Sequence, residues 1–227
     1  MDKQLLRIAN RIRNKTLRGR VLQLLENPTI KIGGKTFSGL PIEKSPASIR
    51  HHHNYAGGFI EHTIALYELC MSLSRIVSKV YECTVDNDLI LCGVLLHDIY
   101  KTATYVEKGK RYVMSDLAER VDHLTLASAE LIRRGFPLDV VHIVVASHGR
   151  EYGPMGPMTV EALICHLADY AEAKLNGDVL SAARFMIREI TGEEPEVITG
   201  KEAFAIVSAK TENGWNGVRN YLSKQRA

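Results

Sequence analysis

The chain is poor in the residues that staple a fold or cross a membrane. Four cysteines, Cys70, Cys83, Cys92 and Cys165, stand among 227 residues, and none forms a CxxC pair or a zinc-knuckle spacing. This excludes a dense disulfide scaffold and a cysteine-built zinc site. Cys92 lies inside an apolar run and reads as a small buried hydrophobe. The first residues carry no apolar leader, so free thiols in a reducing, cytoplasmic setting are expected. No uncharged stretch reaches the roughly 20 residues that span a bilayer, so no membrane partner is expected. Excess charge is scarce as well. A formal net charge of +3 is too mild to demand a nucleic-acid partner. There is no internal repeat and no low-complexity tract. With 45% hydrophobic residues, the chain can bury one substantial core.

What is present is unevenly distributed. Lys3, Arg7, Arg11, Arg13, Lys15, Arg18 and Arg20 crowd the start, opposed there only by Asp2 and Glu26. The spacing of Leu5, Leu6, Ile8, Ile12, Leu24 and Leu25 predicts an amphipathic helix over 3–25, with Arg18-Gly19-Arg20 as a candidate interruption and Asn27-Pro28 as its stop. Thr29 to Phe37 predicts a β-hairpin across Gly33-Gly34. Residues 38–58 hold two prolines and three glycines around His51-His52-His53, which suits an ordered loop beside a site. From Phe59 onward the pattern is helical. Helices are expected over 59–81, 86–98, 116–134, 138–148, 158–174 and 179–188, with Asp86 and Thr159 as N-caps. A second small hairpin is possible over 104–113, around Lys108-Gly109, and two last helices over 200–208 and 213–223. The expected fold class is all-α, a helical bundle with one or two short hairpins. The whole chain, 1–227, is read as a single domain. Residues 1–38 form an N-terminal extension, 39–188 a catalytic core, and 189–227 a C-terminal helical extension.

The chemistry concentrates at His97-Asp98, which ends the apolar run from Leu89 to Leu96. Two adjacent metal-capable side chains in a core segment make sense if a divalent cation sits on them. The candidates to complete such a site are His62, His123, His148 and Asp169. His62 is placed on the first turn of its helix, and His123 within a helix beginning near Asp116. His142 and His166 read as packing or supporting groups. His166 precedes Asp169 by one helical turn and is placed to orient it. Lys101, four residues after His97, shares its helix face if the helix runs on, and is a mobile point charge suited to a phosphate oxygen.

In this order the residues resemble the HD-domain metal-dependent phosphohydrolases. The likeness is nearest to the HD domain of bacterial 3′-to-5′ exoribonucleases and its stand-alone archaeal relatives. It rests on His52-His53-Asn54-Tyr55, Gly57 to Thr63, Leu95 to Lys101, His123-Leu124, Ala146 to Gly149 with Glu151, and Glu161-Ala162 with His166 to Asp169. It covers roughly residues 40–185. Three departures stand out. Ser147-His148-Gly149 has one histidine where the pattern usually has two, the loop Arg150 to Pro157 is short, and Tyr100 stands where glycine is common.

The resemblance implies that His62, His97, Asp98 and Asp169 hold a first divalent cation. Asp98 would bridge to a second cation held also by His123 and His148. One or two ions of Mn²⁺, Ni²⁺, Fe²⁺, Zn²⁺ or Mg²⁺ are expected, and bridged cations roughly 3.5–4 Å apart can activate water against phosphorus. Asp98, Lys101 and His53 are the expected catalytic residues, with His52, Arg50 and Arg150 as phosphate contacts. The expected reaction is hydrolysis of a phosphate ester by metal-activated water. The substrate would be a phosphorylated small molecule, a nucleotide or short RNA, attacked by a phosphodiesterase or exoribonuclease-like activity. A phosphomonoesterase is the alternative, and a non-catalytic RNA-binding or signalling protein with a structural metal is a third reading. A homodimer is possible through the first helix or the segment around Trp215 and Tyr221.

Overall fold

The computed structural model describes residues 1–225. The predominantly helical bundle with two small hairpins agrees with the fold class read from the sequence. Helix α1 (Lys3–Ala9) starts at Asp2, whose carboxylate accepts from the backbone N–H groups of Gln4 and Leu5. Helix α2 (Lys15–Glu26) starts at Asn14, which caps Thr16 and Leu17 in the same way. The single helix expected over 3–25 is therefore broken, but not at Arg18-Gly19-Arg20. The break falls at residues 10–14, where the carboxylate of Asp88 accepts from the N–H groups of Arg13 and Asn14 at 2.9 and 2.7 Å. Those bonds hold the two groups outside a continuous helix, and Gly19 runs on within α2. Strands β1 (Ile30–Ile32) and β2 (Lys35–Phe37) pair antiparallel across the expected glycine turn.

Helix α3 (Gly58–Val80) leads to α4 (Asn87–Leu96), capped by Asp86 as expected. Helix α4 is buried along most of its length and lies among α3, α7 and α9. A short α5 (Lys101–Thr104) follows, then the second expected hairpin, β3 (Tyr105–Lys108) with β4 (Arg111–Met114). Helix α6 (His123–Arg133) begins later than the Asp116 start predicted, because residues 115–122 form turns and Asp122 provides the cap. Helices α7 (Leu138–Ala146) and α8 (Gly149–Tyr152) precede α9 (Val160–Thr191), capped by Thr159.

The two helices expected over 158–174 and 179–188 are one. Gly177 does not interrupt α9. A Cβ there would come within 3.3 Å of the His51 carbonyl oxygen, so glycine lets the histidine loop lie close against the helix. Helix α10 (Gly200–Gln225) bends at Asn213-Gly214, which reproduces the two C-terminal segments read from the sequence.

The main core gathers Leu5, Ile8, Leu17, Val21 and Leu24 with α3, α4, α6, α7 and the first half of α9. A second apolar cluster joins Tyr55, Leu180 and Ala183 to Ile198, Ile206 and Val218. Much of the apolar surface of α1, α2 and α10 is thus covered within the chain, while Phe204 and Trp215 on α10 stay exposed. Each fully buried aliphatic side chain contributes about 1.5–3 kcal/mol, so this covering matters to the fold. No helix among the described residues is long and apolar enough to cross a membrane.

Candidate metal centre

Helix α4 stops at Leu96, so His97 and Asp98 sit on the turn beyond it, not on a helix face. Ile99 and Tyr100 are fully buried and anchor that turn. Tyr100, at the position where glycine is common, thus fills the core behind the site. Because the helix ends, Lys101 does not share a face with His97. The turn brings it in instead: its N–H donates to the Asp98 carbonyl at 2.8 Å, and its ammonium donates to Asp98 Oδ2 at 2.6 Å. His62 projects from α3, within the helix and not on its first turn. His123 is the first residue of α6, and Asp169 lies in α9. His148 sits between α7 and α8, beyond Ser147, whose hydroxyl donates to the Val144 carbonyl at 2.9 Å.

These elements bring all the expected ligand candidates together in two groups, His62 with His97 and Asp169, and Asp98 with His123 and His148. His62 Nε2 lies 3.2 Å from Asp169 Oδ1 and 3.8 Å from Asp98 Oδ2, and His97 Nε2 lies 3.4 Å from Asp98 Oδ2. On the other side, His123 Nε2 and His148 Nε2 lie 3.3 and 3.6 Å from Asp98 Oδ1. The two oxygens of Asp98 therefore face different imidazole groups.

Hydrogen bonds at the rear of the rings decide where the protons sit. His62 Nδ1 is 2.5 Å from Glu172 Oε2, and His97 Nδ1 is 3.2 Å from the Val94 carbonyl. Both partners only accept, so each Nδ1 carries the proton and each neutral ring turns a lone pair inward at Nε2. Those two Nε2 atoms are 3.3 Å apart. Two lone pairs so placed are satisfied by a cation between them or by a proton on one of the rings. Asp98 Oδ1 and His123 Nε2 are both buried and make no hydrogen bond, although they are close. Imidazoles and carboxylates converging in this way, with unsatisfied lone pairs at the focus, are a donor set that can hold a divalent metal.

The electrostatics carry the same message. Burial opposes charge on His62, but hydrogen bonds to Asp169 and Glu172 outweigh it and push its pKa up to about 10. A proton on His62 and a divalent cation are competing answers to the same crowd of lone pairs and carboxylates. Burial also works against ionised Asp98, yet Lys101 and His97 hold its carboxyl well below the usual range. His123 is pushed down to about 4, chiefly by burial, and stays neutral as a ligand must.

Beside this centre opens a cavity of about 580 Å³, bordered by Lys101, His148, Asp169, Arg50 and His52 among others. The remaining sequence candidates divide around it. Arg50 and His52 line the cavity. His53 does not: it is 1% exposed, with Nδ1 3.2 Å from His52 Nδ1 and Nε2 3.4 Å from Glu172 Oε1. Arg150 is exposed and lies along Gly156, off the cavity. His166 does not orient Asp169. Its Nδ1 donates to the Ser147 carbonyl at 2.8 Å, which supports the His148 turn. That turn also explains the missing histidine. Gly149 has φ +63°, and a Cβ there would stand 2.6 Å from His166 Cε1, so no side chain fits. His142 accepts from the Met158 N–H at 2.9 Å, a structural role as expected.

Glu172 and Asn176 were not singled out from the sequence. Glu172 holds His62 and faces His53, and Asn176 Oδ1 accepts from the His53 N–H at 2.9 Å. That bond helps hold His53 at φ +45°, a conformation side-chain-bearing residues rarely adopt. The only signal was spacing: Asp169, Glu172 and Asn176 recur at three and four residues and share a face of α9. His52, His53, His62 and Glu172 also cluster with metal-capable atoms. Their contacts satisfy one another with protons alone, so this group reads as support for the centre.

The family model described as HD domain matches residues 59–174, half of the chain. The chain belongs to the HD-domain family. It is 35% identical over 215 residues to the dihydroneopterin 2′,3′-cyclic phosphate phosphodiesterase of Methanocaldococcus jannaschii, a match covering 93% of this chain and 84% of that protein. It is 28% identical over 170 residues to the 3′-5′ exoribonuclease YhaM of Bacillus licheniformis, covering 68% of this chain and 49% of that protein. The YhaM of Oceanobacillus iheyensis is 30% identical over 142 residues, covering 58% and 43%. No solved structure matches the chain. Family and site together support metal-dependent phosphohydrolase chemistry.

Proposed function

We propose that the chain is a divalent-metal phosphodiesterase that opens a 2′,3′-cyclic phosphate on a single nucleotide-like molecule. The observation that carries this reading is the divergence of the two Asp98 oxygens toward two imidazole groups on the edge of a cavity open to solvent. His62, His97, Asp169 and Asp98 Oδ2 would hold one cation, and Asp98 Oδ1, His123 and His148 a second. Bound there, the cations would activate water and neutralise charge on the phosphate. In the reaction, water oxygen joins phosphorus, one ring P–O bond breaks, and the freed ribose oxygen takes a proton.

The protein's own groups position these partners. Lys101, held protonated by Asp98 against the cost of burial, offers its ammonium to a phosphate oxygen. Arg50 offers a second positive charge from the cavity rim. His53 is a positioning residue. With its Nε2 proton toward Glu172, its Nδ1 accepts from His52 Nδ1, and His52 Nε2 is left to accept a hydrogen bond from water or a ribose hydroxyl. His52 is neutral for this purpose, since burial, chiefly, pushes its pKa down to about 3.

Cavity size favours a single small substrate over a polymer, because it falls within the roughly 300–1,000 Å³ of small-molecule sites. The relative aligned along almost the whole chain is named for a cyclic phosphate, whereas the exoribonucleases match over about half their length. No residue of α1 or α2 lines the cavity, and two of the N-terminal arginines have structural partners across the chain. Arg11 donates to the Tyr67 hydroxyl and Arg20 to the Gly135 carbonyl.

The test is metal analysis of the purified protein, then assays with Mn²⁺, Fe²⁺, Ni²⁺ and Zn²⁺ on 2′,3′-cyclic nucleotides, short RNA and mononucleotides. Ring opening without release of inorganic phosphate from mononucleotides is expected. Shortening of RNA with steep salt dependence would replace this reading by an exoribonuclease. Phosphate release would make the protein a phosphomonoesterase. Full metal loading with no turnover on any of them would make the centre structural.

A further inference from the structure

The polar side of the cavity serves the phosphate, and its other wall has different chemistry. Tyr152 on α8 and Tyr170 on α9 both line the cavity. They are 79% and 58% exposed, whereas Tyr55, Tyr67 and Tyr100 are 3%, 7% and 0% exposed in the cores. Neither hydroxyl of this exposed pair bonds to another group among the described residues, so both rings are open to the cavity and to solvent. Their chain positions tie them to the chemistry. Tyr170 directly follows Asp169, and Tyr152 ends the helical turn that begins just after His148.

Beyond Tyr170, α9 presents Ala173, Lys174, Gly177, Asp178 and Ser181 to the cavity. Ala173 offers a small side chain on this wall, and at Gly177 the His51 backbone lies against the helix and closes that end. Asp169 and Gly177 are about 12 Å apart along α9, a span suited to one nucleotide with its phosphate at the metal centre.

We propose that Tyr152 and Tyr170 hold the planar heteroaromatic ring of the substrate by stacking on the α9 side of the cavity, beside Ala173. The substrate class is therefore a base-bearing phosphoester, not a simple sugar phosphate. This rests on the reading that a phosphodiester is opened at Asp98. Aromatic faces accept any flat base, so the wall selects for a ring without hydrogen-bond readout.

Calorimetric binding to the Mn²⁺-loaded protein tests this apart from turnover, with guanosine 3′-monophosphate and ribose 3-phosphate as probes. The base-bearing probe is expected to bind at least about tenfold tighter, the scale of one base–aromatic stack. Tyr152→Ala and Tyr170→Ala should each remove about tenfold of that affinity and leave ribose 3-phosphate binding unchanged, while Tyr170→Phe keeps it. With a cyclic nucleotide as substrate, the alanine variants should raise KM more than they lower kcat. Equal binding of the two probes by the wild type would overturn the proposal. So would equal weakening of both probes in the alanine variants, or a change only in self-association by light scattering. Selective binding without any ring opening would uphold the ring clamp and reject the phosphodiesterase reading.

Discussion

The two halves of the metal centre are built to different standards. His62, His97 and Asp169 are 0%, 2% and 7% exposed, and two of them project from the 23-residue α3 and the 32-residue α9. His123 and His148 have side chains 18% and 17% exposed, and they stand on a helix's first residue and on a turn before a four-residue helix. The first half is held by long packed elements and by hydrogen bonds behind each histidine. The second rests on short elements and one supporting contact, His166 to Ser147. Burial and support of this kind suit the first half to permanent metal binding and the second to an ion that exchanges more readily.

Asp98 is common to both halves, so removing it should erase the contrast. Asp98→Ala is expected to abolish stoichiometric metal, read by elemental analysis, and to lower kcat by about a thousandfold or more. Retained metal with undiminished turnover would end the assignment. Next in size is a pair of variants that should split the halves. His97→Ala should empty the centre, while His123→Ala should keep about one equivalent of metal per chain with weakened turnover. Loss of both ions from His123→Ala would mean that the halves are not independent.

A smaller effect is expected from the group behind the first half. Glu172→Gln frees His62 from its carboxylate and should weaken metal affinity about ten- to a hundredfold with the fold intact, measured by competition with a chelator. An unchanged affinity would reduce Glu172 to packing. The smallest effect concerns support of the second half. Gly149→Ala must adopt φ +63° and meet His166, so it should destabilise the protein by about 1–2 kcal/mol. Thermal unfolding, with a fall in Tm of about 2–8 °C, measures it.

Much of this was legible from residue order. The helical periods, the caps at Asp86 and Thr159, both hairpins and the grouping of His62, His97, Asp98, His123, His148 and Asp169 needed no coordinates. The misreadings share a cause. The break between α1 and α2 depends on Asp88, 75 residues from Arg13. Spacing paired His166 with Asp169, but its partner is a carbonyl on another element. Arg150 stands near His148 in sequence, and the turn at Gly149 carries it away from the cavity. Glu172 looked like an ordinary helical glutamate until α3 brought His62 against it. Local periodicity reports which face a residue occupies and is silent about what lies opposite.

The donor types and their order are covalent properties of the chain, and through their resemblance to the HD-domain family they pointed to a divalent cation and phosphohydrolase chemistry. Tertiary structure alone decided that the Asp98 oxygens diverge, that His52 and not His53 meets the cavity, and that two tyrosines stand exposed on its wall. A ligand's identity is carried by its side chain. Its direction is set by the packing of α3, α4, α6, α7 and α9 around a turn, where shifts of an ångström decide what meets.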